Sequence, residues 1–321
     1  MKTPDVSVVI ICMNNLRNLY PCLESIRQQT REVSYETLVV AYLFSAENLA
    51  KVKADFPWAT FIESNELRGF SENNNLALRV AKGRYCFVLN DDTKMEMPVL
   101  DRLVRQMDKM PERVAVLSPV TTFPDGRVQV CGRPKATWRT LILGRFHLRN
   151  EHRGPYVDKE GLFQTYNLLG AAFLIRRDIF EQVGWFDEIY YFAPEDLALS
   201  TLLNRQGWEC WVDADVRLIH YEGMTSGHTL SMVRTATAPA GQRGCLLFYE
   251  EGKWWRTALV RPTLFVGGCL QLIYHAFKAF LRPRPNSDYV LFLCDVNCLR
   301  ELFSRKTPKE IFVKYYTRLK K

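Results

Sequence analysis

Alternation of β-branched apolar runs with helical patterns predicts an α/β fold, a mainly parallel sheet flanked by helices in Rossmann-like order. Three observations carry this. The run Ser7-Val-Val-Ile-Ile11 is continuously apolar and β-branched, the pattern of a strand covered on both faces. Leu19, Leu23 and Ile26 follow at helical spacing, and Tyr35-Glu-Thr-Leu-Val-Val40 supplies a second strand, so the opening is a βαβ unit. Residues 60–63 and 85–89 add two more short apolar strands, again separated by helical stretches.

Further along, residues 97–110 read as a helix and residues 114–118 as a strand. Residues 123–165 mix Pro, Gly, Arg and His with little periodicity, which predicts a long, partly ordered loop of the kind that forms lids or binding loops. Order returns at Asn167. Residues 170–187 read as a small-residue strand, a short helix and a turn, and Pro194 then suits the first turn of another helix. The apolar run from Val216 ends at His220. Two regions are expected: a sheet-bearing domain over 1–230 and a helical C-terminal appendage over 231–321.

An apolar fraction of 47% in 321 residues is ample for a buried core. The formal charge of +8 favours anionic partners, but no DNA- or RNA-reading motif accompanies it, so nucleic acid is not expected as a partner. Nine cysteines without a short repeating spacing argue for reduced thiols in a cytoplasmic setting. Cys294 and Cys298 lie four apart, which fits one helix face better than a zinc site. The apolar run Val6 to Cys12 is too short to span a membrane and carries no cleavage signal. No internal repeat or low-complexity tract is visible.

Chemistry-bearing residues gather in a few places. The strand over 85–89 delivers Asn90, Asp91 and Asp92 to its carboxyl end, where open α/β sheets collect ligands. Such oxygens suit Mg2+ or Mn2+, which take one or two carboxylates and fill the rest of the shell with water and phosphate. The bland alternative is a surface turn, since Asn-Asp-Asp is ordinary turn chemistry. Asn73, Asn74 and Asn75 precede an expected helix over 76–81, whose free N–H groups favour an anion. Glu195 and Asp196 open a helix where its dipole favours carboxylates, so simple helix initiation competes with a catalytic role. There is no Gly-x-Gly-x-x-Gly after the first strand, which removes a dinucleotide oxidoreductase, and no Gly-rich loop with a following basic residue, which removes a nucleotidyltransferase.

The stretch Gly69-Phe70-Ser-Glu-Asn-Asn74-Asn75 followed by Asn90-Asp91-Asp92-Thr93 resembles the donor-binding region of family 2 glycosyltransferases, with Asn74 and Asn75 matching and Ala77 where the family often has Gly. Gly170-Ala with Arg176-Arg177, then Gly184-Trp-Phe-Asp187, Glu195-Asp196 and Gly207-Trp208 resemble its acceptor half. The similarity runs over roughly residues 5 to 225. It implies a GT-A fold, a nucleotide-sugar donor such as a UDP- or dTDP-sugar, a saccharide or lipid-linked glycan acceptor, and inverting hexosyl transfer in surface-polysaccharide or lipopolysaccharide biosynthesis, as in bacterial rhamnosyltransferase-like enzymes.

By the same resemblance Asp92, in the position of the family's Asp-x-Asp motif, binds Mn2+ or Mg2+, and His220 is a further metal ligand. Asn14, Gly69, Phe70, Asn74, Asn75, Asn90 and Asp91 contact the donor; Asp196 is the base, assisted by Glu195. Three positions depart from the pattern. Cys12-Met13-Asn14 replaces Thr-Tyr-Asn, Ala41-Tyr42 stands where a base-reading Asp is usual, and Ala198 removes a carboxylate from the Glu-Asp helix. These departures leave a second expectation, a catalytically inactive GT-A-fold protein that binds glycan or nucleotide. Trp254-Trp255 and the apolar stretch 259–281, interrupted by Arg261, Gln271, His275 and Lys278, are poor material for a span. They fit a helix lying on an anionic membrane surface, peripheral on the inner face of the cytoplasmic membrane, or a helix buried against the sheet-bearing domain.

Overall fold

A computed structural model describes residues 3–129, 132–146, 156, 159–221, 231–281 and 286–319. His147, His152, Gly223, His228, the Arg-Pro repeat at 282–285 and the two terminal lysines lie outside the described residues. In chain order the elements are β1 (Val6–Cys12), α1 (Leu16–Gln29), β2 (Tyr35–Tyr42), α2 (Ala46–Asp55), β3 (Thr60–Ser64), α3 (Phe70–Leu78), β4 (Tyr85–Asn90), β5 (Thr93–Lys94), α4 (Val99–Met107) and β6 (Val114–Thr122). There follow α5 (Trp138–Arg145), β7 (Leu162–Thr165), β8 (Ala172–Arg176), α6 (Arg177–Gln182), α7 (Glu195–Arg205) and β9 (Glu209–His220), and then four helices, α8 (Arg234–Glu250), α9 (Trp254–Leu281), α10 (Ser287–Glu301) and α11 (Pro308–Leu319). The chain divides into two compact units: 1–135 with 152–187 and 196–225, and 136–151 with 188–195 and 226–321.

The first unit holds one sheet, ordered β3-β2-β1-β4-β8-β6-β9-β5, with β7 on β9. β3, β2, β1 and β4 run parallel, and β6 with β9, as the βαβ reading expects. The sheet is nonetheless mixed, because β8 lies antiparallel between β4 and β6, and β5 and β7 lie antiparallel to β9. β8 follows β6 only after α5 and β7, not by a single βα crossover, so nothing in the connection requires the two to be parallel.

Period-two burial splits the core into two layers. Val8, Ile10 and Phe87 face Leu19, Leu23 and Ile26 of α1 and Leu100, Leu103 and Met107 of α4. Val9, Val88 and Phe173 face Leu78 of α3, Phe180 of α6 and Leu199 and Leu203 of α7. Gly83 is required where α3 returns to the sheet: a Cβ there would lie 2.4 Å from the Ser7 main-chain nitrogen.

Two expectations shift. α3 starts at Phe70, not Leu76, because Glu72 reaches back to accept the Gly69 N–H at 2.9 Å and closes the N-terminal turn. The Pro- and Gly-rich stretch at 123–165 carries more order than its composition suggests. A turn closes between Thr122 and Val128, Thr137 caps α5, and β7 alternates exposed and buried residues over four positions.

The second unit is helical. Leu246, Val260, Leu264 and Leu302 make its core with Trp138 and Leu141. Arg261 of α9 donates two hydrogen bonds to Glu250 of α8, at 2.7 and 2.9 Å, and His275 Nδ1 lies 2.6 Å from Asp295 of α10. Within it α9, expected to be poor material for a span, is by length and composition long and apolar enough to cross a membrane, with 22% of an 18-residue apolar window buried. Among the described residues eight cysteines are free, as the scattered spacing predicts.

Candidate active site

β1 and β4 are parallel neighbours from which the chain departs in opposite directions, from β1 to β2 on one side and from β4 to β5 and β6 on the other, so their carboxyl ends flank the sheet's switch point. β4 ends at Asn90. The turn beyond it is fixed by its own residues: the Thr93 hydroxyl donates to the Asn90 carbonyl at 2.7 Å. That turn delivers Asp91 under β1 and Asp92 toward β9.

Asp91 is held between Cys12 and Asn18, and burial pushes its carboxyl up to about 6; hydrogen bonds from those two side chains oppose the rise and the charge of Asp92 adds to it. Burial, followed by the neighbouring Asp91, raises the Cys12 thiol well above the ordinary thiol range.

Asp92 meets His220 because β5 and β9 pair antiparallel with Thr93 opposite His220, and the Tyr221 N–H donates to the Asp92 carbonyl at 2.8 Å. His220 Nε2 lies 3.3 Å from Asp92 Oδ1. Gln129 completes the arrangement. Its Nε2 donates to the His220 carbonyl at 2.9 Å, which turns its Oε1 toward His220 Nδ1 at 3.0 Å. Nδ1 must then carry a proton, leaving Nε2 to face the carboxylate. Nε2 and the carboxylate oxygen then face the same space, an arrangement that suits a cation held between them. Two ligands bound at about 2.1 Å and near right angles lie about 3 Å apart, which this pair satisfies. Among the described residues no cluster of three metal-ligating side chains occurs, so any cation here needs water or substrate oxygens as well.

The second carboxylate arrives from α7. The Asn90 N–H donates to the Ala171 carbonyl at 2.9 Å, placing the start of β8 beside the end of β4. Gly170, the preceding residue, lies against Asp196, since an added Cβ would be 3.5 Å from the Asp196 Cβ. The two acidic groups that the sequence separates by a hundred residues therefore lie by the same end of the β4–β8 pair. Asp196 Oδ1 accepts the Leu197 N–H at 2.7 Å, and Oδ2 pairs with Arg133. Arg133 is itself pinned: its guanidinium donates to the Leu168 carbonyl at 2.8 Å and its N–H to Thr165 at 3.0 Å. Glu195 is half-buried and belongs to the segment 188–195 of the second unit.

The other expected residues fall into two groups. Asn14, in the left-handed region at φ 52, ends β1 and accepts from Ser45 N–H at 3.2 Å and Asn48 Nδ2 at 2.9 Å, joining the β1 and β2 loops at the surface. Gly69 and Phe70 open α3, with Phe70 edge-on to Phe186 at 5.8 Å. Asn73, Asn74 and Asn75, by contrast, lie inside α3 and not ahead of it, each 1% exposed. Asn74 donates to the Phe70 carbonyl at 3.1 Å, and Asn75 exchanges two hydrogen bonds with the Phe186 main chain. Tyr42, which stands beside the position of the usual base-reading Asp, is buried, and its hydroxyl accepts the Arg68 N–H at 3.2 Å.

The family model described as "Glycosyl transferase family 2" matches residues 7–184. The chain is 28% identical over 236 residues to "O-antigen biosynthesis protein RfbC" of Myxococcus xanthus, covering 68% of this chain and 17% of that one. It is 26% identical over 185 residues to the "N-acetylglucosaminyl-diphospho-decaprenol L-rhamnosyltransferase" of Mycobacterium tuberculosis, covering 54% and 58%. The chain thus spans less than two thirds of the curated relatives it matches. Among solved structures, GalNAc-T7 with UDP, GalNAc and Mn2+ superposes at a TM-score of 0.54 with 17% identity, covering 68% of this chain and 44% of that one. The mannosyltransferase PcManGT of Pyrobaculum calidifontis with GDP-Man and Mn2+ superposes at 0.51 with 16% identity, covering 95% and 89%. At these identities the likeness establishes the GT-A-type fold alone.

Proposed function

The chain belongs to glycosyl transferase family 2, and on that premise we propose that it moves a hexosyl group from a nucleotide-sugar donor to a saccharide or lipid-linked glycan acceptor, with inversion, in surface-polysaccharide assembly. One observation carries the proposal: Asp92 with His220, and Asp196 on Gly170, flank the same end of the β4–β8 pair. The naming of the Myxococcus and Mycobacterium relatives supports the acceptor and pathway class, and the UDP and GDP-Man complexes of the two solved structures support the donor class.

Asp92 Oδ1 and His220 Nε2 would hold Mn2+ or Mg2+, with Gln129 fixing the ring. When bound, the cation neutralises charge on the departing diphosphate. Asn90 and Asp91 contact the ribose or donor sugar, Asn14 borders the nucleoside end, and Gly69 and Phe70 contact the donor from α3. Asn74 and Asn75 act on the donor through the Phe70 and Phe186 main chain that they hold. Asp196, with Glu195 assisting, takes the acceptor hydroxyl proton. The oxygen forms its bond to the anomeric carbon on the face opposite the diphosphate, whose carbon–oxygen bond breaks with the electron pair leaving on phosphate.

Arg133 gives the inactive alternative its one specific support, because it occupies Asp196 Oδ2. The two separate cleanly: incubation of the whole chain with UDP- and dTDP-sugars and Mn2+ yields sugar transfer or slow donor hydrolysis if the proposal holds. Saturable nucleotide binding with neither product establishes the inactive reading instead.

A further inference from the structure

α9 presents an apolar face to solvent. Its inner side buries Val260, Leu264 and Ala279 and half-buries Arg261, Gln271, His275 and Lys278, whereas every exposed residue between 258 and 281 is apolar or aromatic. Leu259, Val266, Leu270, Ile273, Phe277 and Leu281 recur at spacings of one and two turns and form a single stripe, with Ile273, Phe277 and Leu281 exposed by 66%, 67% and 67%. Over this length the stripe runs about 33 Å. Phe303, 58% exposed, extends it through its ring contact with Phe265. Soluble surfaces rarely leave so large a continuous apolar face to water.

Charge identifies what covers it. Residues 231–321 hold sixteen Lys and Arg against six Asp and Glu, a net +10, while residues 1–230 are net −2. Arg305 and Lys306 lie exposed immediately after Phe303, and Trp254, 80% exposed, stands at the start of the stripe. A second copy of so basic a region would repel the first, whereas an anionic bilayer attracts it. The inner side of α9 is committed by the Arg261–Glu250 and His275–Asp295 pairs, so only the outer face is available and the helix cannot cross the bilayer without losing them.

On the flank of the stripe, an open cavity of about 640 Å³ is lined by Arg145, Phe146, Gly267, Leu270, Tyr274 and His275, among others. Arg145 makes no hydrogen bond or ion pair among the described residues, and its Nε is buried. An apolar cavity with an uncommitted guanidinium at its wall suits a phosphate headgroup whose chains enter the adjoining layer.

We propose that α9 lies in the interfacial plane of an anionic bilayer, apolar stripe inward, with Arg145 receiving a lipid phosphate. The proposal is independent of the transfer reaction, since its readout is lipid binding. The whole chain is floated with vesicles of phosphatidylcholine alone and of phosphatidylcholine with phosphatidylglycerol, beside Ile273→Glu/Phe277→Glu and Arg145→Gln. Wild type should bind the anionic vesicles, the double variant should lose at least about tenfold, and Arg145→Gln should lose part of the preference for anionic lipid. Helix content and melting temperature should be unchanged in the variants, because both stripe side chains already face solvent. Failure to float on anionic vesicles overturns the proposal. So does a dimer in lipid-free size exclusion that the double variant dissolves without vesicle binding by wild type, which would assign the stripe to self-association.

Discussion

Replacing Asp91 with Asn should stabilise the ligand-free protein at neutral pH. Burial holds this carboxyl at about 6 in the folded chain against an ordinary 3.8. Because the folded value lies above the unfolded one, the folded chain keeps a proton between about pH 4 and 6 that the unfolded chain has released, and stability falls as pH rises through that window. The full shift corresponds to about 3 kcal/mol, an upper limit for the cost of ionised Asp91 at about pH 7. Asn removes the charge and retains the shape, so the variant should gain up to that amount above about pH 6 and nothing below about pH 4. Urea unfolding of both proteins across this range, without metal or nucleotide, supplies the difference curve. A variant less stable than wild type at neutral pH, or a difference that does not vary with pH, refutes the argument that burial dominates at Asp91.

Three further outcomes follow from the geometry. Asp196→Asn should lower sugar transfer by at least about a hundredfold while leaving nucleotide affinity measured by calorimetry nearly unchanged, the division expected of a group acting on the acceptor proton. Gln129→Leu removes the amide that orients His220 and should weaken Mn2+ binding roughly 10–100-fold, read by titration of the free ion. Asp101 of α4 accepts the main-chain N–H groups of Arg31, Glu32 and Val33 at 3.0 to 3.1 Å and is buried, so Asp101→Leu should cost about 3 kcal/mol or more in unfolding free energy by orphaning three donors.

Local signals in the sequence were strong wherever one segment carried both an element and its chemistry. β4 ending in Asn90, Asp91 and Asp92 is such a segment, and so is α7 opening at Glu195 and Asp196, because strand periodicity and helix-start chemistry place those side chains without long-range information. Gln129 and Arg133 were out of reach. Each sits in a stretch without periodicity, and its role exists only through a partner across the sheet, His220 at a separation of 91 residues and Asp196 at 63. The asparagine run misled for a related reason: Glu72 capping Gly69 draws the helix start back to Phe70, which turns anticipated surface amides into buried ones. In α9 the periodicity shows two faces, but no pattern within the helix says which of them the neighbouring α8 and α10 will cover. Here they cover the one that carries Val260 and Leu264 together with Arg261 and His275.

Co-titration of Mn2+ and a nucleoside diphosphate into the whole chain, compared with Asp92→Asn, bears most directly on the shared metal and donor site. Wild type should bind the pair saturably, each tightening the other, and the variant should lose the mutual dependence. Equal binding by both proteins would place the cation elsewhere and contradict the pairing of Asp92 with His220 as its seat.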